Sequence, residues 1–270
     1  MTTPKNKIGI ITTVSNWKLY KKTIKFFPSE IQIFAMDGSN NFFGINSITF
    51  FLDKLKKYNI DWLIMADEDV IFKDHNGVFE LIDYLSTNNY SACGMRDGGM
   101  LKWRDQNPYL LNTFFAILNL KDIYKIYDEE EMRSNQFIDE GEFDLTVEGL
   151  PFNNYQVDSL FEPYYCFFLW LLRKGRKIKY VNGFNPENNE TTIVLNHNDK
   201  EILYHTWYAR LYNKDEVHTE RINRIINKGL LSKKKVKPII LKKHKIHWNK
   251  LIKKQWNRII NKATLLYKLI

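Results

Sequence analysis

Three features of residues 7–72 predict an α/β fold with a mixed, mostly parallel sheet flanked by helices. Short apolar runs alternate with stretches of helical spacing in the order strand, helix, strand, helix, strand. Each run is short enough and apolar enough to be a buried strand. Polar residues gather where the runs end, and ligands of such sheets bind beyond the carboxyl ends of the strands.

The first run, residues 7–15 (Lys-Ile-Gly-Ile-Ile-Thr-Thr-Val-Ser), predicts a buried strand that ends in hydroxyl side chains. Helical spacing follows over 17–27 and stops at Pro28, which cannot continue a helix. A second apolar run, 31–36, closes in the turn-forming cluster Asp37-Gly38-Ser39-Asn40-Asn41. Residues 48–58 are helical in period, with Lys54, Lys56 and Lys57 on the outer face. The third run, 60–72, is the most informative, because Trp62, Leu63, Ile64, Met65 and Ala66 lead straight into Asp67-Glu68-Asp69 before the chain turns apolar again. Side chains alternate along extended chain, so Asp67 and Asp69 are expected on one side and Glu68 on the other. Two carboxylates converging at a strand end can share a hard divalent cation such as Mg²⁺ or Mn²⁺, which takes oxygen ligands and completes its shell with substrate phosphate. Thr12, Thr13, Ser15, Asp37, Asp67 and Asp69 all fall at the predicted binding edge.

Composition sets the bounds. A chain of 270 residues is long enough for one large domain with a sizeable core, or a domain with an appendage. Hydrophobic residues at 44% and aromatics at 15% exclude a disordered chain. The two cysteines, Cys93 and Cys166, are too few for a disulfide framework or a zinc site, which points to reduced thiols and a cytoplasmic location. The apolar run at 8–14 is too short for a signal-peptide core or a spanning helix, and no longer one appears. The formal charge of +9 hides an asymmetry, since the segment from Arg221 onward holds 16 Lys and Arg and no acid. That leaves 40 − 16 = 24 basic against 31 acidic residues before it, a net of −7. An acidic body with a basic tail predicts a catalytic domain over 1–220 and an appendage over 221–270 that meets a polyanion.

A strand ending in hydroxyls, a second ending in an acid, and a later apolar strand running into Asp-x-Asp together resemble the GT-A fold of nucleotide-sugar-dependent glycosyltransferases of the bacterial surface-polysaccharide type. The resemblance covers the first 210 residues or so. It implies that Asp67 and Asp69 hold a divalent metal, Mn²⁺ or Mg²⁺, against the donor diphosphate. It also assigns Thr12 or Thr13 to the donor pocket and Asp37 to the base or ribose of a nucleoside diphosphate sugar, with a UDP-sugar the first choice. The acceptor would be a hydroxyl of a glycan or lipid-linked glycan.

Later segments fit the same plan. Gly94-Met95-Arg96-Asp97-Gly98-Gly99 follows a strand-like 90–93 and offers flexible backbone beside one cation and one anion, with Arg96 taken as a donor contact; an ordinary glycine turn explains the same residues. Residues 110–120 suit a strand along the acceptor side, carrying Asn112 and Thr113, and 122–131 a charged, solvated helix. Asp158 and Glu162 precede an aromatic helix at 164–172 and a strand at 178–181. In inverting members of the resembled family an acid from this position is the general base, so either residue qualifies, and either equally suits a helix-capping role. In residues 202–210, His205 is the candidate third metal ligand by the same resemblance, with Trp207 and Tyr208 for stacking and Arg210 for the diphosphate. The competing reading makes His205 a core residue, and His197, in a turn, is the lesser ligand candidate.

Beyond the domain, residues 247–270 place Trp248, Leu251, Ile252, Trp256, Ile259 and Ala263 at helical spacing with lysines and arginines filling the other face. A basic amphipathic helix with two tryptophans predicts an interfacial segment on an anionic membrane surface, hence a peripheral protein on the inner face of the cell membrane. Packing of the stripe on the catalytic domain or on another copy, giving a homo-oligomer, is the alternative. Nucleic acid is not expected as a partner, because no nucleic-acid module accompanies the charge. Two other functions compete with glycosyl transfer. A metal-dependent nucleotidyltransferase usually carries a basic glycine-rich phosphate loop after its first strand, which residues 7–17 lack. A non-catalytic membrane- or polyanion-binding protein would have no use for Asp67 and Asp69.

Overall fold

The computed structural model describes residues 2–39, 42–186 and 190–242, so the tail expected over 247–270 lies outside the described residues. The opening alternation is as the sequence predicts: β1 (Ile8–Val14), α1 (Trp17–Thr23), β2 (Gln32–Asp37), α2 (Ile45–Leu55) and β3 (Trp62–Ala66). There follow β4 (Val70–Phe72), α3 (His75–Thr87), β5 (Ala92–Arg96) and β6 (Leu111–Asn119). Next come α4 (Leu120–Ile123), α5 (Glu129–Ser134), α6 (Tyr165–Arg173), β7 (Ile178–Val181), β8 (Gly183–Phe184), β9 (Thr192–Leu195) and β10 (Glu201–His205). The described chain closes with α7 (Glu216–Ile226) and β11 (Ile239–Ile240).

Seven strands form the main sheet in the order β11-β2-β1-β3-β6-β5-β7. Its pairings are parallel except at β6, which runs antiparallel to both β3 and β5, so the sheet is mixed and mostly parallel. Alternate residues of each central strand enter opposite layers. In β3, Trp62, Ile64 and Ala66 join the layer of α1 and α3 with Leu81, Ile82 and Leu85, whereas Leu63 and Met65 join the layer of α2 and α6 with Phe51, Leu52, Phe167 and Phe168. Burial on both faces is why these strands are continuously apolar in sequence.

Three expectations are corrected. Instead of one helix over 122–131 there are two short ones, because Asn119 caps Asp122 and Asp128 caps the amide of Glu131, starting a new helix. A second, antiparallel sheet of order β4-β10-β9-β8 stands beside the first and was not foreseen. The expected boundary between 220 and 221 falls inside α7, where Arg221 is buried, and β11 adds a parallel strand to β2, so the described residues after 220 belong to the same body.

Candidate metal and substrate site

At the carboxyl edge of the main sheet a cleft of about 480 Å³ opens between the end of β3, the turn after β10 and the residues leading into α2 and α6. Its floor follows from strand parity. Leu63 and Met65 face the α2 layer, and the next residue of that parity, Asp67, lines the cleft. In β1 the same parity brings Ile11, Thr13 and Ser15 to the cleft. Thr12 has the opposite parity: it is fully buried and does not line the cleft, which corrects its expected donor role.

The turn after β3 concentrates three acids. Asp69 is 1% exposed, and its Oδ2 accepts a hydrogen bond from Thr206 Oγ1 at 3.2 Å. Glu68, inside this turn, reaches toward β1, and its Oε1 accepts the backbone amides of Ser15 at 3.1 Å and Asn16 at 2.9 Å. That contact ties the end of β3 to the end of β1. His205 enters from the second sheet, where its pairing with Val70 sets it beside Asp69. One ligand atom from each of Asp67, Asp69 and His205 lies within 4.8 Å of the others. His205 Nε2 is 3.2 Å from Asp69 Oδ1, yet the alignment makes no hydrogen bond. Asp69 Oδ1 and His205 Nδ1 are therefore buried without hydrogen-bond partners among the described residues. Burial together with Asp69 and Glu68 pushes the Asp67 carboxyl up to about 7, opposed by His205 and Arg210. Glu68 also rises to about 7, through burial and Asp69.

An orphaned buried carboxylate oxygen, clustered acids raised first by burial and then by one another, and an imidazole nitrogen beside them form an O,O,N donor set suited to Mn²⁺ or Mg²⁺. A cation there would offset the repulsive part of that rise. The buried His205 ring is stacked on Phe114, with centroids 4.0 Å apart and 9° between planes, packing that suits a core residue as well as a ligand, and its Nε2 lies 3.2 Å from Asp69 Oδ1. His197, the lesser candidate, stacks on Tyr84 at 4.3 Å and is not part of the cluster.

The rest of the cleft is partly as expected. Glu162, Arg210, Trp207, Asn112 and Thr113 line it. Trp207 and Tyr208 both have left-handed backbone, φ 57° and 59°, an uncommon conformation for bulky residues. Buried Arg221 of α7 holds this turn, donating to the carbonyl of Thr206 at 2.5 Å and of Trp207 at 3.4 Å. Three assignments fail. Asp158 is exposed and does not line the cleft, because the acid nearest the start of α6 is Glu162. The Asp37 carboxylate lies outside the cleft and accepts from the backbone amide and hydroxyl of Ser39. Arg96 is turned away: its guanidinium lies 3.6 Å from the Tyr180 ring centroid and donates to the carbonyl of Pro108.

Beside Arg210, the cleft holds a second arginine, Arg104, which sequence reading missed. Asp97 is fully buried and receives Arg104, Asn112 Nδ2 at 2.6 Å and the Tyr165 hydroxyl. Arg104 Nη2 also reaches Glu162 Oε1 at 3.4 Å. Burial, then Asp97, raises the Glu162 carboxyl above its ordinary range, while Arg104 and Arg210 pull it back. The glycine pair is what permits this loop. A Cβ at Gly98 would lie 1.7 Å from the Gln106 carbonyl oxygen, and Gly99 has φ 78°. The signal that could have found Arg104 is its place just beyond that pair, since a loop forced to fold back on itself returns its next residues to Asp97.

No protein-family model matches the sequence, and no curated protein is significantly similar to it. Among solved structures, the mannosyltransferase PcManGT from Pyrobaculum calidifontis, in complex with GDP-Man and Mn²⁺, is similar over 47% of this chain and 48% of that one, with 6% identity and a TM-score of 0.30. The chain thus spans about half the length of that enzyme. A197 from STIV is similar over 73% of this chain and 93% of that one, with 13% identity and a TM-score of 0.39.

Proposed function

We propose that the protein is a metal-dependent glycosyltransferase of the GT-A type, moving a sugar from a nucleoside diphosphate donor to a hydroxyl of a glycan or lipid-linked glycan. The observation that carries this reading is the Asp67-Asp69-His205 cluster set at a parallel sheet's binding edge, in one cleft with two guanidinium groups and a carboxyl of raised affinity for protons. Asp67, Asp69 and His205 would hold the cation, whose chemistry is to neutralise charge on the leaving diphosphate. Arg210 adds a fixed positive charge on the same side, and the Trp207 ring supplies a stacking face. Thr13 and Ser15 offer hydroxyls to the donor.

Glu162 is the base of this mechanism. Its carboxylate takes the acceptor hydroxyl proton as the acceptor oxygen bonds to the anomeric carbon and the bond from that carbon to the diphosphate breaks. Arg104, clamped by Asp97, keeps Glu162 oriented, and Asn112 and Thr113 stand beside it for the acceptor. This assignment describes an inverting enzyme. Among the described residues no helix is long and apolar enough to cross a membrane, and the reading places the enzyme peripherally on the inner face of the cell membrane through its basic tail, in surface polysaccharide synthesis.

Thermal stabilisation by UDP, GDP and CMP, each with and without Mn²⁺, tests the reading. A shift that appears with one diphosphate and needs Mn²⁺ supports it. No shift with any nucleotide refutes it.

A further inference from the structure

Away from the cleft, a groove of about 630 Å³ lies between α1 with its following turn and residues 231–238. Its floor is apolar, made by Trp17, Tyr20, Ile24, Leu231, Val236 and Pro238. Its rim is wholly basic: Lys21 and Lys25 on one side, Lys233, Lys234 and Lys235 on the other. No acid lines it, and none of these five lysines makes an ion pair among the described residues. The wall formed by 231–238 is fixed in place. Ser232 donates its amide to the Lys25 carbonyl at 2.8 Å and its hydroxyl to the Phe27 carbonyl, Leu230 donates to Phe72, and Val236 packs on the main core.

Five lysines line one opening, and no carboxylate lines it with them, so the opening carries a net positive charge. A free anion would satisfy the rim and leave the apolar floor in water. A neutral apolar chain would cover the floor and leave the charge. An anionic amphiphile satisfies both, with its phosphate at the lysines and its chain on Trp17, Ile24 and Val236. The chain's own continuation, residues 243–270, is itself strongly basic, so charge disfavours it as the occupant.

We infer that this groove is a binding site for a single anionic membrane lipid, which seats its phosphate among Lys21, Lys25 and Lys233 to Lys235 and its chain on the apolar floor. The inference deepens the membrane-peripheral part of the reading above and rests on it for the source of the lipid. It adds a defined lipid seat on the folded domain, distinct from residues 247–270 and from the cleft.

The test uses the full chain and a lipid short enough to stay monomeric. Calorimetric titration with dihexanoyl phosphatidic acid is expected to show one site per chain. Inorganic phosphate and dihexanoyl phosphatidylcholine are each expected to bind at least about tenfold more weakly. Lys21→Glu with Lys25→Glu, exposed positions in α1 and in the turn that follows it, should weaken the phosphatidic acid at least about tenfold with an unchanged melting temperature. Trp248→Ser with Trp256→Ser should leave it unchanged. Equal binding of phosphate alone, equal binding of the zwitterionic lipid, indifference to lysine reversal, or loss in the tryptophan variant would each overturn the site. Sedimentation with phosphatidylglycerol vesicles separates the two claims. Binding of the short lipid without vesicle association keeps the groove and removes the membrane location, whereas vesicle association that survives lysine reversal, with no short-lipid binding, removes the groove and keeps the location.

Discussion

Asp69→Asn separates the stability of the site from its use. In the metal-free protein Asp69 is a carboxylate 1% exposed, with Oδ1 lacking a hydrogen bond and with its charge among the causes that raise both Asp67 and Glu68. A buried charge without full compensation is expensive, and leaving a buried polar atom unpaired costs about 1–3 kcal/mol by itself. Asparagine keeps the shape and can still accept from Thr206 Oγ1, which Asp69 does at 3.2 Å. The substitution should therefore stabilise the metal-free fold by about 1 kcal/mol, which in a domain of this size raises the melting temperature by about 2–4 °C. Metal affinity should fall by more than the 10- to 100-fold that even an outer-shell change costs, or at least about 1.4 kcal/mol. Calorimetric titration with Mn²⁺ and differential scanning of the metal-free protein read the two effects separately. A variant that is less stable without metal and binds Mn²⁺ as tightly as the parent would refute the assignment, and would make Asp69 an ordinary structural acid.

His205→Ala should weaken Mn²⁺ binding while saturating Mn²⁺ restores part of the turnover; a lowered melting temperature with unchanged metal dependence would instead make His205 a core residue. Glu162→Gln should lower kcat by about 10²–10⁴-fold with the fold intact, whereas Asp158→Asn, exposed and outside the cleft, should leave kcat within about twofold. Arg104→Met leaves Asp97 buried without its cation and should destabilise by about 3–5 kcal/mol, measured by denaturant unfolding against the parent. The acids at the metal site set a pH dependence whose sign is fixed by their raised affinity for protons. Asp67 and Glu68 titrate near 7 in the folded protein and near 4 when unfolded, so the folded state holds protons that the unfolded state has lost between those values. Metal-free stability should then fall as pH rises from about 4 to about 7 and level off above, while Mn²⁺ binding strengthens over the same interval, as scanning calorimetry across that range would show.

What was legible in the sequence is what depends on short-range pattern. Apolar runs buried on both faces announce β1, β2 and β3, and the abrupt change from Ala66 to Asp67 announces the site. Strand parity was legible only as far as Ala66, because β3 ends there and the turn closed by Val70 N–H on the Asp67 carbonyl, not alternation, separates Glu68 from Asp67 and Asp69. The choice between Thr12 and Thr13 needs the parity of β1 relative to the layers, and that depends on which face α2 covers. Arg96 and Asp158 were chosen by proximity to motifs. The Arg96 side chain is placed by Tyr180 and Pro108, which no local pattern reveals, and Asp158 is exposed. Of the partners of Arg104, Asp97 is seven residues away and within reach of the glycine-loop signal, whereas Glu162 is 58 residues away and was hidden. The second sheet escaped because β4 has three residues and β8 two, too short to carry a period.

That second sheet explains why His205 can serve the site at all. Asp67 and Asp69 flank a turn between β3 of one sheet and β4 of the other, so the acids sit where the two sheets meet. β10 pairs antiparallel with β4 in the register His205 to Val70, Tyr204 to Ile71 and Leu203 to Phe72. In an antiparallel pair a slip of one residue turns every side chain to the opposite face. Tyr204 packs with Ile71 and Ile225 on one side, while Leu203 belongs to the main core on the other, so a slip would exchange side chains of different size and polarity between two packed layers. The register that buries Leu203 is thus the register that aims His205 at Asp69. The turn beyond β10 is then constrained in its own right. Arg221 holds the carbonyls of Thr206 and Trp207, and Thr206 donates to Asp69, so α7 fixes both the stacking residue and the acid it stands beside. Helix α7 is part of the site's frame, and Arg221, which composition alone would assign to a basic tail, helps hold the Asp69 and Trp207 surroundings in shape.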